Sequence, residues 1–501
     1  MHHKPAPSRA ALWALTALVI SSLACQTLLG QSGLALDEED NDTLIHPVEI
    51  KPTQEVVVAS SERLDGLSLL PDLILSPPGN SPSNRGRPEF SGRAYTLDTD
   101  HFRIHYTLDG EDGVPRQVTD ASGHPDYVIE VARAMEYSWF ASIDHFGWAP
   151  PPNDNSLSGD DRYDVYLLNI LDENYAGYTD SDLGNSVIGD NPLTPQIELA
   201  STHTHIVLDN DYLEDYDYND DGSFPEEALD YMRSTAAHEF HHAIQFGYDG
   251  EEPQDWVWEA TSSWIEEELF DTVNDPISTL PSIFFSPDSC QLAEGGELSE
   301  VDIDRWYGMW ILMRHLSEQY GHQSIVRLWE HIVDRDGYAA WDAMLAEYNL
   351  TLEDLYMDYS IALLTRNLEE GRRYPTVRLE GSAAFNEWYT PQDGVQQLGA
   401  DYIYIPAQEP ITVTLDGEGL LGVLVGIAED RSYIYPMWNG ELSIDASQLE
   451  RTYLIVMNMQ RASNARNCLF TDYYVYLASG GSSVEPEWSL PAVNFQAPRN
   501  P

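Results

Sequence analysis

Between Ser234 and Asp249 the chain reads STAAHEFHHAIQFGYD, with three histidines and a glutamate within five residues. His238, Glu239 and His242 spell His-Glu-x-x-His. On a helix, positions i and i+4 share a face. Two imidazoles spaced this way can therefore point at one ion, about 2 Å from each nitrogen. Glu239, beside the first of them, is suited to hold and deprotonate a water at that ion. His241 falls off the pattern and is expected to pack or to face water. The plainer alternative is a histidine-rich helix that binds nothing.

A catalytic zinc takes a third protein ligand and leaves its fourth position to water. No further histidine follows at short spacing. The next candidate is Glu259 in DWVWEATSSWIEEELF, after a break supplied by Gly247, Gly250 and Pro253. Glu259 and Glu266 are seven apart and share a helical face, so one can ligate while the other supports a ligand histidine. Glu259 lies between Trp258 and Ala260, an apolar setting that disfavours an unpaired carboxylate. It is the expected ligand, with Glu266 as the supporting group. Glu267 and Glu268 read as a solvated helix face.

At this point the residues resemble the gluzincin branch of zinc metallopeptidases, through HEFHHAIQ followed by WVWEATSSW. More narrowly, HFRIHYTLDGEDGVP, RYDVYLLNI, STAAHEFHHAIQFGYD, WEATSSWIEEELFDTVND and YGMWILMRHLSEQYG together are similar to a family of secreted bacterial metalloproteases known from myxobacterial genomes. The resemblance runs from about His101 to Asn367, with a looser echo in LGADYIYI. It implies His238, His242 and Glu259 as zinc ligands and Glu239 as general base. The chain departs from the pattern at His241, where a bulky aromatic is more usual.

Peptide hydrolysis also calls for a donor to the oxyanion of the transition state. Gluzincins often draw it from a later helix, and Tyr307 in DRWYGMWILM is the candidate, with Gly308 beside it for close approach. A core tyrosine is the alternative. A second metal is suggested by DYDYNDDGSFPEE, where Asp217, Asn219 and Asp221 with Gly222 form the front half of a calcium loop. The closing glutamate of that loop is missing, and an acidic surface turn is the other reading.

These residues need elements to hold them. HFRIHYTL (101–108), RYDVYLLNI (162–170) and THIVLDN (204–210) alternate as strands. Helical spacing covers 126–146, 228–246, 256–270 and most of 306–367. After about Pro375 six short strand-like runs appear: DYIYIPA, ITVTLDG, LLGVLVGIA, ELSID, RTYLIVMNM and DYYVYLAS. The expected fold class is α+β: a zincin-like catalytic domain over 96–375, an edge-stranded sheet plus helices, then a small antiparallel β-sandwich over 376–490 and a tail over 491–501.

Residues 1–24 read as a signal peptide, with a basic start and the apolar run AALWALTALVISSLA. Cys25 follows the expected cleavage point and is a candidate lipidation site, the one expected tie to a membrane. Residues 25–95 read as a low-order linker or pro-segment, interrupted by LSLLPDLIL. In an exported protein Cys290 and Cys468 are a candidate disulfide.

With 84 acidic residues against 25 basic, net charge −59, the chain lacks the cations that double-stranded nucleic acid requires. Calcium, cationic substrates or simple solubility fit that balance better. The expectation is an exported zinc metalloendopeptidase that acts on protein or peptide through a zinc-activated water. The competing expectation is a surface adhesin or binding protein with a structural metal. A zinc hydrolase acting on some other amide is a third.

Overall fold

The computed structural model describes residues 74–75, 87–119, 121–153, 159–171, 176–181, 187–213, 219, 224–290, 305–406, 409–461 and 469–491. Among these, the chain is mixed α/β, with several sheets and eight α-helices.

The first sheet is built from β1 (Ile74–Leu75), β2 (Ala94–Asp98), β3 (Phe102–Thr107), β4 (Tyr163–Leu168), β5 (Gly177–Ser181) and β8 (Thr204–Asp209), in the order β1-β2-β3-β4-β8-β5. A two-stranded ribbon of β6 (Val187–Gly189) and β7 (Ser201–Thr202) stands apart from it. Strands β3, β4 and β8 run parallel, and β5 closes one edge antiparallel to β8, with Tyr178 opposite Val207. Alternation sets the faces: Phe102, Ile104 and Tyr106 are fully buried in the main core, while Arg103 and His105 point the other way.

Helices α1 (Asp126–Trp139) and α2 (Glu226–Tyr248) cover the apolar face. Val128, Val131 and Met135 of α1 and Ala236, Phe240 and Ala243 of α2 join the core there. The Phe240 ring meets Phe102 edge-on at 5.3 Å. Residues 140–145, expected to continue α1, form a π-helical turn. Glu226 and Glu227 in the first turn of α2 complement its dipole.

The stretch expected as linker is partly built into this domain. Ile74 and Leu75 pair with Thr96 and Tyr95. Arg87 is buried in an ion pair with Asp164 on the far face of the sheet, and His105 first, then Arg87, hold the Asp164 carboxyl well below the usual range against its burial. The expected boundary at 95–96 therefore falls inside the sheet. The signal segment and Cys25 lie outside the described residues. Among the described residues no helix is long and apolar enough to cross a membrane.

Helix α3 (Asp255–Leu269) packs beside α2 and is followed by a 3₁₀ turn (Asp275–Thr279) and α4 (Pro281–Phe284). Next come α5 (Trp310–Tyr320), α6 (Gln323–Ile332), α7 (Tyr338–Glu347) and α8 (Leu352–Thr365), the last opened by a capping box between Thr351 and Asp354.

The C-terminal part contains β9 (Gly381–Ser382), β10 (Trp388–Tyr389), β11 (Val395–Gln396), β12 (Ala400–Ile405), β13 (Pro410–Asp416), β14 (Leu420–Ile427), β15 (Arg431–Trp438), β16 (Gly440–Asp445), β17 (Arg451–Asn458), β18 (Phe470–Thr471), β19 (Tyr474–Ser479) and β20 (Trp488–Pro491). Ten of them form a four-stranded sheet, β10-β19-β13-β16, facing a six-stranded one, β20-β15-β14-β17-β12-β9, and β11 pairs with β18 in a two-stranded ribbon. Val413 and Leu477 of the first meet Leu424, Leu454 and Val456 of the second in a shared core.

Strand β15 is not among the six runs expected after Pro375, and it carries a proline, Pro436, opposite Val423 of β14. Pro436 is tolerated because β20 pairs with β15 only as far as Ile434, so no outer partner needs its missing N–H.

The other face of the six-stranded sheet belongs to the helical core. Leu421, Val423, Tyr453 and Ile455 cluster with Leu355 and Tyr359 of α8. The Tyr402 hydroxyl donates to the Ser360 carbonyl at 3.0 Å. The expected boundary at 375–376 is thus crossed by a continuous apolar interior.

Cys290 is disulfide-bonded, and Cys25 and Cys468, the chain's other cysteines, lie outside the described residues. The Cys290 N–H donates to Gln396 Oε1 at 3.0 Å, and the Leu469 carbonyl accepts from Gln397 N–H at 2.6 Å. Cys290 and the residue after Cys468 therefore meet adjacent residues at the end of β11.

Candidate metal centre

Helix α2 carries His238, Glu239 and His242 across the gap to α3, which carries Glu259, Glu266 and Ser262. The two imidazoles face each other with Nε2 atoms 3.0 Å apart. Glu259 Oε2 lies 3.2 Å from His238 Nε2 and 3.5 Å from His242 Nε2. All three residues are at most 4% exposed.

The far nitrogens fix the tautomers. His238 Nδ1 sits 2.6 Å from Glu266 Oε1, whose other oxygen accepts from Ser234 Oγ at 2.5 Å. His242 Nδ1 sits 2.7 Å from Gln245 Oε1, and Gln245 Nε2 donates to the Trp258 carbonyl at 3.0 Å, so the amide is oriented with its oxygen to the ring. Each Nδ1 therefore donates, and a neutral imidazole so arranged presents a lone pair at Nε2.

Two lone pairs and a carboxylate oxygen then converge within 3.5 Å, an arrangement that repels itself unless a cation sits among them. Without a metal the cation is a proton. Burial opposes it, but Glu259 and Glu266 outweigh burial and hold His238 well above its ordinary range. Burial is likewise overcome at Glu259, where the two histidines hold the carboxyl down to about 2. A divalent ion would displace that proton. Two imidazoles and one carboxylate are a donor set that zinc accepts, and the residues fit it.

Glu239 is not among the three converging donors. Thr179 of β5 donates to its Oε2 at 2.9 Å and to its main-chain carbonyl at 2.8 Å. Burial raises the Glu239 carboxyl against the pull of both histidines. Gly177, also on β5, lies so close that a Cβ there would stand 2.9 Å from Glu239 Cγ and 2.7 Å from Thr235 Cγ2.

Beside the donors is a cavity of about 40 Å³. His238, Glu239, Ser263, Glu266, Asp275 and Tyr307 are among the residues that line it. The Tyr307 ring stacks on His238 at 5.7 Å, in a helical turn ahead of α5. Gly308 allows that turn to press on the 279–283 segment, since a Cβ there would lie 2.7 Å from Ser282 Oγ. Burial lifts the Asp275 carboxyl to about 7.

The five residues expected at this centre, His238, Glu239, His242, Glu259 and Tyr307, come together, with Glu266 behind His238. His241 packs: it is fully buried, edge-on to Trp148 at 4.6 Å. Glu267 and Glu268 correct the expectation of a solvated face. Glu267 is 1% exposed, and Glu268 lies 3.0 Å from His322. Of the candidate calcium loop, Asp217 and Asp221 lie outside the described residues, and the Asn219 amide donates to the Phe224 carbonyl at 3.3 Å.

Gln245, Ser234 and Thr179 were not anticipated. Gln245 and Ser234 stand at helical spacing from His242 and His238 and could have been found. Thr179, sixty residues ahead of Glu239 on another element, leaves no local signal.

No protein family and no curated protein matches this sequence. Among solved structures, Salmonella Typhimurium PliG, a periplasmic lysozyme inhibitor of g-type lysozyme, is similar over 20% of this chain and 97% of its own, at 13% identity and a TM-score of 0.13. That likeness is too slight to bear on the centre.

Proposed function

We propose that the chain is an exported zinc-dependent metalloendopeptidase. The observation that carries the reading is the convergence of His238 Nε2, His242 Nε2 and Glu259 Oε2 with the Glu239 carboxylate beside them. Zinc, when bound, supplies the Lewis acidity that polarises a peptide carbonyl and makes water a nucleophile at neutral pH.

The protein's own groups do the rest. Glu266 and Gln245 hold the imidazoles in one tautomer and one orientation. Glu239, raised by burial toward the working range of a general base, takes the proton of the attacking water and delivers it to the leaving amine. Thr179 keeps its carboxylate aimed. Tyr307 is the candidate donor to the oxyanion. Strand β5 is the edge of its sheet among the described residues and borders Glu239, which favours an extended peptide as substrate.

A structural metal in a binding protein is the rival. Structural zinc sites are closed by four protein ligands. Three donors and a neighbouring cavity-lining carboxylate fit the catalytic arrangement better.

The test compares the protein with its Glu239→Gln variant. Zinc is counted by elemental analysis, and cleavage is followed on a denatured protein and a mixed peptide library. One zinc in each and cutting by the wild type alone supports the reading. Zinc in both with no cutting by either, after removal of the N-terminal segment, favours the structural metal.

A further inference from the structure

At the other end of α3, three carboxylates from two segments meet: Glu267 in the last turn of the helix and Asp271 just after it, with Glu370 from after α8. One oxygen of each lies within 4.8 Å of the others. Clustering alone says little in a chain of net charge −59. The separate observation is Glu267 itself. Its side chain is 0% exposed, and neither oxygen has a hydrogen-bond partner. Glu370 Oε2 is buried without one too, its other oxygen taking Arg373 Nη1 at 2.9 Å.

The neighbouring cations do not settle this. Arg314 Nη2 stops 3.9 Å short of Glu267, because the guanidinium is shared with Glu268 at 3.4 Å and Glu369 at 3.3 Å. Burial lifts the Glu267 carboxyl to about 8, against the pull of Arg314 and with Asp271 and Glu370 adding to the rise. Five carboxylates here face two arginines and His322.

We infer that Glu267, Asp271 and Glu370 form a site for a hard divalent cation, calcium in an exported protein. The donors are all oxygens, which selects against zinc and copper. Oxygens on opposite sides of one calcium, at ~2.4 Å each, stand about 4.8 Å apart. The ion would pin the end of α3 to the turn after α8. Since α3 also bears Glu259 and Glu266, the site would stiffen the support of the metal centre without touching it. The inference does not depend on peptidase activity.

The intact protein, freed of divalent ions and reloaded with one equivalent of zinc, is melted with and without millimolar calcium chloride. The wild type is expected to gain about 3–5 °C in Tm. The gain should be lost in Glu370→Gln and in Asp271→Asn, yet kept in Asp221→Asn, which alters the acidic sequence at 217–221. Both site variants are read by their response to calcium, so a change in baseline stability does not obscure the result. Loss in either variant supports the site. No gain in the wild type, or a gain that survives in both site variants, overturns it.

Discussion

Glu239 and Glu266 are chemically alike and do different work, because of what each one touches. Glu266 is engaged by His238 Nδ1 and Ser234, whereas Glu239 accepts from the Thr179 hydroxyl and faces the cavity. Two variants separate the roles. Glu239→Gln is expected to keep its zinc and lose about 10²–10⁴-fold in kcat/KM, as measured on a quenched peptide. Glu266→Ala should instead weaken zinc binding by about 10–100-fold, followed by competition with a chromophoric chelator. Equal zinc affinity in Glu266→Ala and wild type would show that the His238 contact does not matter. His238, His242 and Glu239 were legible in the sequence because i, i+4 spacing is set by helix geometry alone. The choice of Glu259 over Glu266 rested on its apolar neighbours, and the burial of both shows how narrow that margin was.

At the scale of elements, the contact between β5 and α2 restrains the site closely. Gly177 is required there by space, since its Cβ position is already within 3.0 Å of two α2 side chains. Gly177→Ala must push Thr235 or Glu239 aside. A displacement near 1 Å at the base costs about 100-fold in rate. The variant is expected to fold, to retain zinc, and to lose activity to roughly that extent in a peptide assay. An unchanged rate would show that Glu239 tolerates the shift.

Helices α2 and α3 and strands β3, β4 and β8 were readable from periodicity. Thr179 and Gly177 were not, because their importance arises from a contact across some sixty residues of chain. Strand β15 was not among the expected runs, and its Pro436 fits because β20 pairs with β15 only as far as Ile434. Glu267 and Glu268 were misread because a run of three glutamates looks solvated until α5 brings Arg314 over it.

Over the whole molecule the acidic excess has a second effect. Several carboxylates are buried with folded-state values above their unfolded ones: Glu252 at about 8, chiefly through burial and despite N–H groups from Gly337 and Gln254; Asp401 at about 8; Asp249 at about 7. A raised carboxyl contributes stability that is complete below the unfolded value, near pH 4, and is lost as pH rises through the folded one. Asp164, depressed, works the other way and loses its contribution as the medium turns acid. Stability at constant zinc should therefore fall between about pH 5 and 8, by at most about 1.4 kcal/mol per pH unit for each raised group. Chemical denaturation across that range measures it, and Glu252→Gln should flatten the slope. A slope unchanged in that variant would remove Glu252 from the account.

The six-stranded sheet has a bearing on descent as well. A module carried on a linker can be traded between genes and leave its neighbour intact. Here Leu421, Val423, Tyr453 and Ile455 fill the same interior as α8, and Tyr402 is tied to Ser360. A recombination point near 376 would bare both surfaces at once. The helical part and the strands behind it are therefore expected to be inherited together, with their apolar positions varying in concert.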